Sequence, residues 1–342
     1  MVSSPEHRHF YTDVDAVDRL EPWNLLSATA RLERVRPQLP VDPGRRAQLV
    51  ESNNNDVWKI ADLYLRVAWR GDRTRLAREA ALMQAVGGIV PVPEVVAVGG
   101  DHSLFWSISR AAPGRPLTDL CEPPFPDQLR PAMADLALRL RHLHAWSPPP
   151  EVVDLMTSRP GQDATDPIAV VGADIVPLPI PRAVALVQPL KRLDHVDGAL
   201  VDAAIEKMAD LSDVDVTSTG RIIHGDVYLG NVVVQGGRIS ALLDFEFARL
   251  GPAELELISF VRAMDAERRR GIVRPPLLDW LEQDYPELFA GPDLDRRLWL
   301  YALAYTLRHI LFWPPDRPEH AGLEPTHPIH RLRRLLDGPL TR

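Results

Sequence analysis

Residues 221–246, RIIHGDVYLGNVVVQGGRISALLDFE, constrain the fold more than any other stretch of the chain. The apolar pair Ile222-Ile223 runs into His224-Gly225-Asp226, and Asn231 follows five residues after that Asp. Two β-prone runs come next, NVVV and RISALL, joined by Gln235-Gly236-Gly237 and ending on Asp244. A two-glycine turn between alternating apolar runs is a hairpin signature. Closing that hairpin returns Asn231 and Asp244 to the same end of adjacent strands. Asp226 sits in the loop that enters the first strand. An Asp, an Asn and a second Asp therefore converge on one small volume. Phosphoryl transfer needs such a set: one carboxylate to accept the proton of the attacking hydroxyl, and an amide oxygen and a second carboxylate to hold Mg²⁺.

The spacing His-x-Asp-x-x-x-x-Asn is that of the protein-kinase catalytic loop, with Gly225 where those enzymes carry Arg. The HGD form, followed by Asp244-Phe245-Glu246 in place of Asp-Phe-Gly, resembles the aminoglycoside phosphotransferase and choline-kinase-like family. The resemblance implies Asp226 as catalytic base and Asn231 and Asp244 as magnesium ligands, with ATP or GTP as phosphate donor. The absent Arg would normally pair with a phosphorylated activation loop, so the resemblance implies an enzyme without that switch. Any one of these residues alone is common at turns for conformational reasons. Their joint spacing around a hairpin carries the reading. His224 is expected to support the loop by hydrogen bonds and not to perform chemistry. After Asp244 the run GPAELEL resembles the family segment with a supporting acidic residue. Glu256 falls there and is expected to anchor the catalytic loop.

The rest of the chain fits an α+β, bilobal protein-kinase-like fold: a small β-rich N-lobe with one main helix, then a larger, mostly helical C-lobe. The expected boundaries are 1–112, a nucleotide-binding five-stranded sheet plus helix, and 113–342, the catalytic hairpin and substrate-binding helices. Residues 1–25 show no clear period and read as a loose lead-in with a short helix. ATARLERV reads as helical. AQLVES, DVWKI and LYLRVAW read as three strands, with turns at Asn53-Asn54-Asn55 and Ala61-Asp62. A helix opening at Gly71-Asp72 and stopping at Gly87-Gly88 follows, and then two strands, VVAVGG and SLFWSIS. AAPGRPLTDL reads as hinge and linker. LRPAMADLALRLRHLHAW is a long amphipathic helix. Residues 148–195 are Pro-rich and irregular, and a loop so long is expected to be a lid or a short-helix insertion. Helices PPLLDWLEQDY and DRRLWLYALAYTLRHILFW close the chain.

Kinases place a cation on the third strand against the ATP phosphates, oriented by a Glu on the next helix. Lysine is scarce here, occurring only at 59, 191 and 207, and Lys59 belongs to the second strand. On the third strand Leu63, Leu65 and Val67 share one face, so Arg66 faces the other way. Arg66 is the expected phosphate contact. Its expected partner is Glu79, which lies beside the Leu76, Ala80 and Met83 stripe. The turn from Ser52 through Asn53 and Asn55 to Asp56 is expected to cover the phosphates with backbone N–H groups and Ser/Asn side chains. The adenine pocket is expected near Ser107–Ala111.

At 342 residues the chain is long enough for two lobes, and 45% hydrophobic with 25% charged residues is ordinary for a soluble globular protein. No apolar stretch reaches the ~18 residues of a membrane span. The N-terminus lacks a signal-peptide layout, so a cytoplasmic location without membrane partners is expected. Cys121 is the only cysteine, which excludes an internal disulfide and argues against zinc. A net charge of −8 with no Lys/Arg run argues against nucleic acid. A cationic small substrate would suit an acidic cleft, and Asp265, Glu282 and Asp284 are candidates to meet ammonium groups, while Glu246, two residues past Asp244, is a candidate to support the metal or contact substrate.

The leading expectation is an ATP- and Mg²⁺-dependent O-phosphotransferase acting on a hydroxyl of a small molecule. An antibiotic is the first class: an aminoglycoside, a cationic peptide antibiotic or a macrolide, with resistance as the consequence. A metabolic kinase of choline, homoserine or a sugar is the alternative. A nucleotide-binding pseudokinase scaffold is the alternative of another class. A monomer and a homodimer are both compatible with the sequence.

Overall fold

The computed structural model describes residues 26–52, 55–69, 75–101, 104–122, 126–157, 180–192, 196–214, 221–269, 271–312 and 328–339. The lead-in expected over 1–25 lies outside them.

Five strands, β1 (Gln48–Ser52), β2 (Asn55–Ile60), β3 (Leu63–Ala68), β4 (Val95–Gly100) and β5 (Phe105–Arg110), form one sheet in the order β1-β2-β3-β5-β4. Every pairing is antiparallel. Cross-strand partners share a face, and the register sets Trp58 opposite Leu65 and Leu65 opposite Ile108. That face is buried, and Leu32 and Val35 of α1 (Ala28–Val35) close it. Ser27 caps α1, its Oγ accepting from Ala30 N. Arg31 ties the helix down with a bidentate pair to buried Asp56 (2.6 and 2.8 Å) and lies over the Trp69 ring. Arg66, opposite Val57 and Ser107, faces the other way, toward α2 (Arg75–Val86).

Two expectations are corrected here. Asn55 and Asp56 are not turn residues: both are buried in β2, and residues 53–54 lie outside the described set. Ser107–Arg110 lie in β5 between two partners, and Ala111 N donates to Asp62 O. The strand pairing and the Ala111 N–H are thus engaged by the sheet, and the chain leaves the sheet only after Arg110.

The segment read as a linker also has structure. β6 (Arg115–Pro116) pairs with β8 (Val232–Gln235), which pairs with β9 (Arg238–Leu242), and α3 (Leu117–Leu120) follows β6. The entry to the helical part is thereby bolted to the β8–β9 hairpin. A two-stranded sheet joins β7 (Arg221–Ile223) to β10 (Arg249–Gly251). The helices are α4 (Leu129–Ala145), α5 (Pro150–Thr157), α6 (Ile180–Val187), α7 (Gly198–Asp210), α8 (Leu257–Arg269), α9 (Leu277–Asp284), α10 (Leu294–Phe312) and α11 (Pro328–Asp337). The described parts of 148–195 are thus short helices. The larger core runs through them and includes Leu82, Met83 and Val86 of α2. Helix α2, which carries Glu79, is therefore anchored on the helical side of the molecule. The architecture is the α+β, two-lobed kinase-like one expected. No described helix is long and apolar enough to cross a membrane.

Candidate active site

The hairpin turn uses Gly236 and Gly237 at φ +59° and +76°, the left-handed pair of a type I′ turn. Its arms pair from Val232↔Leu242 to Gln235↔Arg238. Beyond the last pair, Leu243 N donates to Asn231 O at 2.8 Å. Asn231 and Asp244 consequently sit at one end of the hairpin. Asp244 has φ +67° and ψ +62°, a left-handed conformation that costs an L-residue free energy and clusters at functional sites.

Buried hydrogen bonds fix the loop before Asn231. Glu256, itself buried, accepts from the backbone N–H of both His224 and Gly225, the latter at 3.0 Å. His144 Nε2 lies 3.5 Å from the same carboxylate, and its Nδ1 is 3.1 Å from Tyr285 Oη. Burial alone would raise the Glu256 carboxyl, but His144 and His224 outweigh it and hold the group below the ordinary carboxylate range. The His224 ring is wedged against Phe245, with Nε2 2.8 Å from Leu243 O and Nδ1 3.3 Å from Asp226 N. That pattern fits the Nε2–H tautomer, with Nδ1 accepting.

Gly225 has a physical reason for its identity. Its φ is +80°, and a Cβ there would lie 2.4 Å from Phe247 O and 2.7 Å from Arg249 Nη1. No side chain fits this backbone. Gly225→Ala is expected to lower stability by about 2 kcal/mol or more, left-handed strain adding to the clash. Urea unfolding of the variant checks it, and an unchanged midpoint would refute it.

Asp226 is held at both oxygens. Ser259 Oγ donates to Oδ1 at 3.2 Å, and Asn231 Nδ2 donates to Oδ2 at 3.3 Å and to Asp226 O at 3.1 Å. With its nitrogen turned to Asp226, Asn231 presents Oδ1 as the atom able to bind a cation. Burial raises the Asp226 carboxyl above its ordinary range, Asp244 adds to this, and His224, Ser259 and Arg262 oppose it.

Arg66 stands on the sheet side of the same volume. Its Nη1 donates to both Glu79 oxygens (2.7 and 2.6 Å), and its Nη2 donates to Asp244 Oδ1 at 3.0 Å and lies 3.5 Å from Glu246 Oε2. Glu79 Oε1 also accepts from Phe245 N at 3.1 Å, which locks α2 to the hairpin end. Carboxylate oxygens of Glu79, Asp244 and Glu246 lie within 4.8 Å of one another. Burial works to lower the Arg66 pKa, but these three carboxylates outweigh it and keep the guanidinium firmly charged. Burial and Asp244 push Glu246 up. Such crowding of hard, negatively charged oxygens fits a divalent cation with oxygen preference. Asp244 gives one oxygen to Arg66, which leaves its second oxygen, like Asn231 Oδ1, able to bind a cation.

The structure thus brings together Asp226, Asn231, Asp244, Arg66, Glu79, His224, Glu256 and Glu246. It does not gather the others. Asn55 is turned inward, its Oδ1 accepting from Arg75 Nη2 at 2.6 Å. Asn53 and the Ser52 side chain lie outside the described residues. Asp284 is committed to Arg130 on α4, and Glu282 is exposed on the same helix as Asp284. Asp265 is buried and lies in the field of Arg331, so it is no open site for an ammonium group. Three residues escaped the sequence reading. Arg75, whose Nε is 3.4 Å from Glu246 Oε2, carries only the signal of a basic residue opening α2. Ser259 and Arg262 share a face of α8 with spacing three, a signal visible only once Glu256 fixes where that helix begins.

Comparison with known proteins places this arrangement. The family described as "Phosphotransferase enzyme family" matches residues 46–290. No curated protein sequence matches significantly. Among solved structures, an aminoglycoside-3′-phosphotransferase of type VIII aligns with a TM-score of 0.56 at 21% identity, covering 83% of this chain and 98% of its own. The aminoglycoside phosphotransferase APH(4)-Ia aligns with a TM-score of 0.60 at 18% identity over 91% of this chain and 98% of its own. The streptomycin–ATP complex of APH(2″)-IIa gives 0.57 at 14% identity over 91% and 96%. At these identities the likeness is one of fold.

Proposed function

The chain belongs to the phosphotransferase enzyme family, and from that premise we propose that it moves the γ-phosphate of ATP, with Mg²⁺, onto a hydroxyl of a small molecule. The observation that carries the proposal is the meeting of Asp226, Asn231 and Asp244 at one hairpin end, opposite the Arg66–Glu79 pair.

Asp226 accepts the proton of the attacking hydroxyl. Ser259 and Asn231 fix the carboxylate in one orientation, and burial makes it a better base than a solvated Asp. Arg66, aligned by Glu79, contacts the donor's phosphate oxygens, where its planar fork can reach two at once. Asn231 Oδ1 and Asp244 are the residues that would hold magnesium, which when bound would supply neutralisation of charge on the transferring phosphate. Glu256 and His224 hold the loop and touch no reacting atom.

Antibiotics are the first acceptors to test, since enzymes of the same fold act on aminoglycosides. Growth protection on expression would be the readout of resistance. A metabolic alcohol is the second reading, favoured by the Arg262 charge that acts on Asp226. Thermal shift with ATP and Mg²⁺, followed by ADP release across antibiotic and metabolic alcohols, tests the activity. Stabilisation by the nucleotide together with acceptor-dependent ADP release is expected. No shift and no release with any acceptor would overturn it and leave a scaffold role.

The pH profile gives a second check. A base works only when ionised, so activity is full above its pKa and lost as pH falls through it. Because burial raises Asp226, the acid limb of kcat/KM is expected above the ordinary carboxylate value of about 4. A flat profile down to about pH 4 would contradict the assignment.

A further inference from the structure

Helix α8 continues past Ser259 into a feature that phosphate transfer does not require. Arg262, one turn later on the same face (~5 Å along the axis), stacks over the Tyr305 ring of α10, its Cζ 3.3 Å from the centroid. Arg331 of α11 lies in the same neighbourhood. Burial, with Arg262 and Arg334 adding to it and Tyr305 and Asp265 opposing, lowers its pKa to about 10. Three guanidiniums from two helices, Arg262, Arg331 and Arg334, therefore share one region, where Asp265 is the carboxylate among the described residues that acts on Arg331. Arg262 Nε and Arg331 Nη1 are buried donors with no hydrogen-bond partner, and neither residue forms an ion pair among the described residues. Burying like charges side by side with open donors is costly, and a protein offsets that cost by closing the site around an anion.

We propose that Arg262 and Arg331 form the acceptor subsite for an oxyanion, so that the molecule phosphorylated is an alcohol bearing a carboxylate or phosphate group. The proposal rests on the phosphotransferase reading above and names its acceptor class. The two oxygens of Asp226 divide its surroundings. Oδ2 meets Asn231 on the metal side, and Oδ1 meets Ser259 on the α8 side. An acceptor lying along α8 would set its acidic group against the guanidiniums and its hydroxyl at Asp226. The planar fork of Arg suits both oxyanions. A polycationic acceptor would meet repulsion on this side, which is the opposite of what the acidic candidates Asp265, Glu282 and Asp284 suggest from the sequence.

Two measurements test it. Calorimetric titration with sodium sulfate, a bare oxyanion probe, compares the native chain with Arg331→Gln and Arg262→Gln. Loss of one sulfate site, or weakening by about tenfold or more, is expected in each, the size of a lost charge-assisted hydrogen bond. Arg331→Lys should retain part of the binding. Sulfate held at Arg66 is common to all these proteins and cancels in the comparison. Superimposable isotherms overturn the subsite, and Arg262→Gln decides the matter should Arg331→Gln fail to fold. ADP release is then read with hydroxy acids and sugar phosphates, with neutral sugars and with aminoglycosides. Turnover of the acidic set is expected, with KM raised about tenfold in Arg331→Gln and kcat changed much less. Turnover of aminoglycosides or neutral sugars alone overturns the acceptor class but leaves the phosphotransferase reading standing. A sulfate site that the substitutions abolish, in a chain that phosphorylates nothing, supports the subsite and overturns the kinase.

Discussion

Asp226→Asn is expected to bind nucleotide like the native chain and to lose about 10²–10⁴ in turnover, the contribution of a positioned general base. The substitution is nearly isosteric. Ser259 and Asn231 each keep a partner of similar size, and the Arg66–Glu79 side of the site is untouched. Stability is expected to hold, because burial disfavours the Asp226 carboxylate and a neutral amide escapes that cost. The measurement is single-turnover phosphate transfer beside nucleotide titration. Retention of most activity would reject Asp226 as the base. Loss of nucleotide affinity in step with turnover would mean a collapsed loop and not a missing base.

The second large effect lies away from the reacting atoms. Glu256→Ala is expected to cost about 3–5 kcal/mol, because it removes a buried acceptor from two backbone N–H groups and from His144 at once. Asp226 follows directly in the chain, so turnover falls with stability. Glu256→Gln keeps one acceptor oxygen and is expected to lose less of both. The sign with pH follows from the depressed carboxyl. Its stabilisation is fully present above the unfolded-state pKa and is lost as pH falls through the lower folded-state value. The acid arm of a stability–pH curve should therefore be shallower in Glu256→Gln. Denaturant unfolding at several pH values reads both outcomes, and a native-like curve for Glu256→Ala would refute the anchoring role.

The Gly225 position shows how a motif letter can be read twice. Its sequence neighbours invite comparison with the Arg of protein kinases and an argument about regulation. The backbone gives a nearer cause: positive φ and a carbonyl 2.4 Å from where a Cβ would sit. The acidic candidates show the reverse error. Asp265 and Asp284 look like open carboxylates in a one-dimensional string. Asp284 meets Arg130 across 154 positions, and Asp265 is buried in the electrostatic field of Arg331. The Asn55–Asp56 pair was misread for a similar reason. Asn and Asp favour turns, but here Arg75 and Arg31 arrive from distant helices and make burial in a strand tolerable.

What the sequence determined by itself is local. Two glycines, two alternating apolar runs and an Asp, Asn and Asp at fixed offsets specify a hairpin and the end at which its polar groups meet. Period-two parity turns Arg66 away from the core side of β3 without any knowledge of what it will face. Tertiary structure decided the partners. Arg66 reaches Asp244 across 178 residues, Ser259 reaches Asp226 across 33, and Glu256 reaches back 32 to the loop it holds. Side-chain periodicity fixes direction over a few residues only. Which charge waits at the end of that direction depends on how whole helices dock, and the docking is set by apolar cores spread over the entire chain.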